Sequence, residues 1–425
     1  MGSDVQGGAR AARPMWWLGL GCVVALAACS SSKSASAPDA GGPLCVADQP
    51  ISCTGTTLTT CNADGTAQVT SMCGLGCSAN PPHCSDIAPS NNLGLYLDMA
   101  AAQPVLSLGG TTTINTDDGS VVVDGAPVAV MHMAVAQTSG PTVQVFVVKA
   151  ATAGDVTITG GNPFALVSDQ EIQITGTVDA SASGMSGGPG RFNDPACQGK
   201  AGERANLGGN DGSIISGSGG GGFGTPGGSG GDATGMLATA HGGAAGQTSG
   251  NAELAPLRGG CDGGAGVVNP NFFGRGGGAI QLVSRTKITI TGVLAANGGA
   301  GGAGGAGGGI LLEAPEVVAL GTVVANGAGG ADGGLLGTPG QPGGFNTTPA
   351  AGAPSCGADC GGGGSGAAGT SPSGPGESKT DASSNVVSSG MGGGGAGRIR
   401  INTLMPPVTT GVFSPAPSTG PLATR

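Results

Sequence analysis

Charge and aromatic rings are scarce in this chain of 425 residues. Asp, Glu, Lys and Arg together make up 9% of it, and Phe, Trp and Tyr 3%, where a folded intracellular enzyme carries far more of both. The 15 basic residues are outnumbered by 25 acidic ones, a formal net charge of −10. That balance offers no basic surface to a phosphate backbone, so no nucleic-acid partner is expected. Both tryptophans, Trp16 and Trp17, lie in a leader, which leaves Tyr96 as the only other Trp or Tyr. The usual platforms for stacking bases or sugar rings are therefore missing. His83, His132 and His241 are the only histidines and stand far apart, and no Gly-Lys-Ser/Thr exists for a P-loop. Neither a metal site nor a cofactor is expected. No window has the apolar spacing of an amphipathic helix. The abundant residues are 92 glycines and 28 prolines, more than a quarter of the chain. Such a share ordinarily marks low complexity, but here the glycines are clustered and alternate with apolar runs.

Arg10 and Arg13 precede a short apolar run, Met15 to Ala28, which closes in Leu26-Ala27-Ala28-Cys29. A basic start, a short apolar core and small residues before a cut site form a secretory signal peptide over 1–28. The run is too short to span a bilayer comfortably. The ending LAAC resembles the lipobox of bacterial lipoproteins, which implies acylation of the Cys29 thiol and a membrane partner through that lipid anchor. Acyl chains anchor at about 0.8 kcal/mol per buried methylene, so two or more hold stably. Ser30 after the cysteine implies, by the same resemblance, an outer-membrane location, on either the cell-surface or the periplasmic face. Residues 29–43 read as a flexible Ser/Ala-rich tether.

Apart from Cys22 in the leader and Cys29, ten cysteines remain. In an exported, oxidising setting an even number reads as disulfides. Cys45, Cys53, Cys61, Cys73, Cys77 and Cys84 fall in the segment 44–86, which has few large apolar residues. Such a segment needs cross-links in place of a core. Six cysteines allow 15 connectivities, and the sequence does not choose among them. Zinc is the sharper alternative, since His83 sits beside Cys84 and Cys73 is four residues from Cys77, but paired C-x-x-C clips are absent. Of the rest, Cys356 and Cys360 are close enough to clip one loop, and Cys197 with Cys261 would join two.

From Leu93 onward Val, Ile and Thr alternate in short runs, the period of half-buried strands. Leu282–Ala296 repeats Leu166–Ala180 at an offset of 116, and Leu311–Asn326 repeats Leu282–Asn297 at an offset of 29. Gly392–Thr403, with Ile399 and Ile401, echoes the stretch that carries Ile280 and Leu282. Units of about thirty residues built from short strands are the mark of a stacked solenoid. The expected fold class is all-β: a parallel β-solenoid or β-helix-like body with long Gly-rich loops, preceded by a small disulfide-rich module. A β-rich part over 87–160 leads into a Gly-rich repeat domain over 161–404 and a Pro/Thr-rich tail over 405–425. Ile280, Leu282, Ile288 and Ile290 should face the core, and Gln281, Lys287, Thr289 and Thr291 should face outward. Asn297 and Asn326 should occupy a left-handed turn position and stack as an Asn ladder.

The longest regular loop, Gly298 to Gly309, reads GGAGGAGGAGGG with a strict period of three. Three residues per turn is the geometry of a polyproline-type helix, with which glycine edges would permit close packing. A flexible excursion is the alternative, because glycine loses the most entropy on ordering.

Lipobox, six-Cys module and a Gly-rich repeat body ending in GGGGAGRIRINT together resemble the glycine-rich surface lipoproteins of gliding soil bacteria. That resemblance implies no activity. A second resemblance, to β-helical polysaccharide hydrolases of the polygalacturonase kind, rests on Asn115-Thr116-Asp117-Asp118, His241-Gly242 and Arg398-Ile399-Arg400. It implies paired carboxylates acting on a glycosidic bond and arginines on an acidic sugar. Its aspartates form one cluster, however, and Ala240 replaces a glycine. Residues Asn115 to Gly119 also read as a hairpin turn. Gly-x-Ser-x-Gly at 184–188 and 227–231 lacks the helix that a nucleophile elbow needs. Asp211 and Asp332 lie in Gly-rich turns without the nine-residue recurrence of calcium repeats, and threonine rows such as Thr289 and Thr291 do not persist as an ice-binding face would require. The function expected is non-enzymatic: a structural or adhesive envelope lipoprotein that contacts envelope or matrix polysaccharide. The rivals are a glycan-active β-helix enzyme and a flexible stalk presenting the six-Cys module.

Overall fold

A computed structural model describes residues 43–183, 186–206, 213–334, 337–384 and 386–425. The leader, Cys22, Cys29 and nearly all of the tether lie outside the described residues, as do Asp211 and the Gly184-Met185 half of the first Gly-x-Ser-x-Gly. The described residues are nearly all-β. The expectation of no helix fails at one place, the seven-residue helix Gly94–Ala100, which buries Leu97 and Ala100. So short an element shows no periodicity in sequence; it forms because those two side chains cover a sheet face. No helix among the described residues is long and apolar enough to cross a membrane.

The 44–86 segment forms a three-stranded antiparallel sheet, Pro50–Thr54, Thr57–Cys61 and Gln68–Met72, with a hairpin of Cys77–Ala79 and Pro82–Cys84. Three disulfides close it: Cys45–Cys61, Cys53–Cys77 and Cys73–Cys84. These commit all six sulfurs of the module, so the zinc alternative has no thiolate left there. His83 turns instead to the Pro81 carbonyl, 2.7 Å from Nδ1.

In the body, the strands of each repeat pair in parallel with those of the next. Val143–Val148, Phe164–Ser168, Ala279–Ser284, Gly309–Glu313 and Arg398–Thr403 build one sheet in that order. Ile172–Ile174, Lys287–Ile290 and Glu316–Ala319 stack beside it. So do Thr177–Asp179, Val293–Ala295, Thr322–Val324 and Val412–Ser414. The segment 405–425 belongs to these stacks, because Ser418–Pro421 pairs with Arg398–Thr403. The aligned offset of 116 holds in all three strands, with Phe164 opposite Ile280, Ile172 opposite Ile288 and Val178 opposite Leu294. The offset of 29 holds only in the second and third strands. In the first, Leu282 lies opposite Leu312, not Leu311. A one-residue slip exchanges the two faces of a strand, and it puts Leu312 in the inner core and Leu311 in the outer one.

There are two apolar layers because the first sheet is buried on both faces. Inside it lie Ile280, Leu282, Ile288, Ile290, Ile310, Leu312, Ile399 and Ile401. Outside it lie Val145, Val147, Val167 and Val283, covered by Leu93, Leu97, Phe223, Leu254 and Leu257. Gln281, expected to face water, is therefore fully buried. It donates to Glu313 Oε2 at 2.6 Å and accepts from Asn91 Nδ2 at 2.9 Å. Glu313 also accepts from Ser90 Oγ and Asn402 Nδ2, which satisfies a carboxylate that would otherwise be costly to bury.

Two corners of each repeat are specified by single residues. At the first, Gly154, Gly176, Gly292, Gly321 and Gly411 stack so closely that a Cβ on Gly292 would fall 2.0 Å from Gly176 O, and one on Gly321 2.0 Å from Gly292 O. At the second, the expected Asn ladder forms. Asn297 Oδ1 accepts the Asn326 N–H at 2.7 Å, with Ser181 Oγ accepting the Asn297 N–H on one side and Ser414 Oγ bonded to Asn326 Oδ1 on the other. The left-handed backbone expected of these asparagines is absent, since among the described residues the positive-φ non-glycines are six others. The ladder bonds run through Asn297 Oδ1 and Asn326 Oδ1 without a left-handed turn, and Asn297 Nδ2 is buried without a hydrogen-bond partner.

The glycine segments leave the stack just beyond this second corner, over 181–278, 298–308 and 327–397, and their described residues are held by backbone hydrogen bonds to one another. Along 390–397 successive backbone N–H groups point to three different neighbours. Gly390 and Gly393 donate to the carbonyls of Glu377 and Gly374. Met391, Gly394 and Gly397 donate to Ala331, Ala328 and Ala325. Gly392 and Gly395 donate to Ser218 and Gly221. All seven bonds measure 2.7–3.0 Å. The same step of three recurs where Gly327, Gly330 and Gly333 donate to Ala367, Gly364 and Gly361. Three residues per turn, with every third N–H on one side, is a bundle of polyproline-type helices held by bonds between segments of the chain. Polyproline helices have no internal hydrogen bonds of their own, so each buried peptide group must find its partner on a neighbouring segment.

Candidate functional site

Within the glycine bundle lies Asp262, a fully buried carboxylate in Gly259–Gly264. Its Oδ2 accepts Arg191 NH1 at 2.6 Å, Asn193 Nδ2 at 2.8 Å and Arg275 NH1 at 3.2 Å, and its Oδ1 accepts the Gly276 N–H at 2.8 Å. The Asn193 amide oxygen in turn accepts the Asp262 N–H at 3.1 Å. The Cys197–Cys261 disulfide ties the adjoining segments beside it. Charge-assisted bonds of this kind are short and directional, and four donors on one carboxylate offset its desolvation. Arg275 also lies over the Phe273 ring, 4.1 Å from its centroid.

Arg191 and Arg275 line a cleft of about 420 Å³ between bundle and stack, together with Thr157, Thr159, Ser181, Ser183 and Ser186. Gly187 leaves the space that the Arg191 stem occupies, since a Cβ there would fall 1.7 Å from Arg191 Cδ. Two carboxylates bond the backbone of lining residues: Asp117 Oδ1 accepts the Gly161 N–H at 2.6 Å and Asp179 Oδ1 accepts the Ser181 N–H at 2.8 Å. The cleft thus combines guanidinium donors with hydroxyls, next to two carboxylates. Sequence reasoning missed it. Arg191 and Arg275 lie in glycine-rich stretches with no motif around them, and Asp262 is their common partner only after the chain folds.

The residues that the sequence singled out go to separate places. Asp117 and Asp118 lie in the hairpin turn between Val105–Asn115 and Val121–Val123, with Ile114 opposite Val121. The Ser120 N–H, donating to Asp118 Oδ1 at 2.9 Å, holds that carboxyl below its ordinary range. His241 Nδ1 is 3.8 Å from Asp232 on a different strand pair. Arg398 donates to the carbonyls of Phe223 and Ser249, and Arg400 to Asn402 Oδ1 and the Thr419 carbonyl. These groups share no partner with Asp117 or Asp118. Asp332 Oδ1 accepts the N–H groups of Gly334 and Thr338, an Asx turn. Cys356 pairs with Cys360 nearby.

A second cluster joins distant parts of the chain. Arg285 binds Asp86 and Asp169, and Arg425 binds Asp86 and Asp98. Burial pushes the Asp86 carboxyl up, but the bond and charge of Arg285, with Arg425 behind it, hold it below the usual carboxylate range. The Asp86 hydrogen bond likewise raises Arg285, and the Asp98 bond raises Arg425.

No family model, curated protein or solved structure matches the chain.

Proposed function

We propose that the protein is a non-enzymatic lipoprotein of the outer cell envelope, a structural or adhesive scaffold that contacts envelope or matrix polymers. In this reading Cys29 carries the acyl anchor, 30–43 is the leash, and the six-Cys module spaces a rigid body from the membrane. The stacked strands are read as a short parallel β-solenoid whose corners are extended into the glycine bundle. The observation that carries the proposal is the bundle itself. Its backbone groups are bonded to one another and its glycines leave no room for side chains, so the segments are stiff and offer a protease few extended sites. Such an object holds its outward side chains in fixed places at low charge, which suits repeated contact with a polymer better than turnover of a small substrate.

The test is to label cells with a fatty-acid probe and then co-sediment the native protein with isolated envelope and extracellular matrix. Acyl label that is lost in Cys29→Ala, together with retention by the insoluble polymer, is the expected result. A protein that carries no label and stays in the supernatant overturns the proposal. So does release of reducing sugar from acidic polysaccharides that is lost in Asp117→Asn and Asp118→Asn.

A further inference from the structure

The cleft over Asp262 has the chemistry of a ligand site more than of a structural seam. Arg191 spends one N–H on Asp262, and its side chain remains one-third exposed. A guanidinium has five N–H donors in a planar fork. Its tie to a buried carboxylate fixes the direction in which the remaining donors point, so little entropy is lost when a ligand uses them. The Thr157, Ser183 and Ser186 side chains are exposed in the walls, each with a hydroxyl that can donate and accept. A cleft of about 420 Å³ is within the range of small-ligand sites and larger than a bare oxyanion requires. Asp117 and Asp179, bonded to the lining residues Gly161 and Ser181, can accept hydroxyl protons, while the guanidiniums cannot accept anything. A ligand that uses both kinds of group carries an anionic group together with hydroxyls.

We infer that this cleft is a subsite for an acidic sugar, with Arg191 pairing its carboxylate and the Thr157, Ser183 and Ser186 hydroxyls meeting its ring hydroxyls. The inference rests on the reading of the protein as a polymer-contacting scaffold, and it names the class of polymer and the place of contact. A sulfate or phosphate ester on a sugar would offer Arg191 the same anionic chemistry, so the anion's identity is one arm of the test.

Binding to the unreduced protein is measured calorimetrically for four probes: oligogalacturonate, its methyl ester, a sulfated oligosaccharide and inorganic sulfate. Oligogalacturonate should bind at least about tenfold more tightly than its ester, since a charged hydrogen-bonded pair contributes about that factor. Arg191→Gln should erase the preference. Because that change disturbs Asp262, Ser183→Trp serves as the second variant: it fills the cleft from an exposed wall and should abolish binding with the melting temperature unchanged. Equal binding of acid and ester, equal binding of inorganic sulfate, tighter binding of the sulfated sugar, or no binding of oligogalacturonate at millimolar concentration would each overturn the inference. If both variants still co-sediment with isolated matrix as the parent protein does, the inference fails and the scaffold reading stands. If the parent protein itself does not co-sediment, the scaffold reading fails.

Discussion

Replacing Gly394 by alanine tests whether the glycine bundle is a packed core or a set of loosely laid strands. A Cβ at 394 would lie 2.0 Å from the Gly305 oxygen and 2.5 Å from its carbonyl carbon. Carbon and oxygen do not approach within 3.0 Å in such contacts, so the 298–308 segment would have to withdraw by about 1 Å in an interior packed as densely as a crystal. The Gly305 oxygen accepts the Ala328 N–H at 3.0 Å, and Gly394 donates to the Ala328 oxygen at 2.8 Å. Withdrawal therefore weakens at least one bond between segments. Overpacking costs about 1–3 kcal/mol and a lost bond about 1 kcal/mol. The stiffer unfolded chain returns about 0.4–1 kcal/mol. The net destabilisation expected is about 1–3.5 kcal/mol. Gly109→Ala is the control. It lies in the strand Val105–Asn115, and a Cβ there meets nothing within 4 Å, so its effect should stay within about 1 kcal/mol. Urea denaturation of the unreduced protein, followed by far-ultraviolet circular dichroism, separates the two. If Gly394→Ala unfolds at the same urea concentration as Gly109→Ala, the segments are not packed as described.

Asn326→Ala removes the acceptor for Ser414 Oγ and the donor to the Gly344 and Asn346 carbonyls, and should cost about 1–3 kcal/mol in the same assay. Asn326→Asp should not restore it, because both amide donor bonds are still lost. The lowered Asp86 pKa gives a sign to the pH response: its contribution is present above the ordinary carboxylate range and is lost as pH falls through the lowered value. Hydrogen-exchange protection at 418–425, taken relative to the intrinsic rate at each pH, should therefore fall below about pH 4, and Asp86→Asn should lower protection at neutral pH and remove that dependence. Reducing agent should unfold the 44–86 module, which has three disulfides and little core. The strand stack, whose inner layer contains no cysteine, should keep its β signal in circular dichroism. Loss of all β signal on reduction would show that the two are not independent.

Much of the fold was legible because repeats align strands without any knowledge of their packing. The offset of 116 names the partners Phe164 and Ile280, Ile172 and Ile288, and the inward side chains follow from a period of two. The lone glycine at Gly292 and Gly321 and the asparagine at Asn297 and Asn326 likewise mark corners that the structure uses. The slip between Leu311 and Leu312 was not legible, because an alignment over one register cannot see a residue inserted between the first strand and the second. Nor was the burial of Gln281, which depends on Ser90 and Asn91 arriving from nearly two hundred residues away. The cleft was hidden for the same reason: Arg191 is 71 residues from Asp262, and no spacing rule connects it with Asp262 and Arg275.

The sequence by itself determined the all-β character, the repeat, the cross-linked module and the composition that makes a bundle of glycine helices conceivable. Glycine and period three are local properties, and local properties are written residue by residue. Only the tertiary structure decided whether those segments would be ordered. An isolated polyproline-type glycine helix makes no internal bond and carries the largest entropy cost of ordering of any residue. Each segment gains its hydrogen bonds from three neighbours at once, so its order depends on the rest of the bundle being in place. The strand stack supplies that condition, since the glycine segments leave and rejoin it at one corner and are thereby brought side by side.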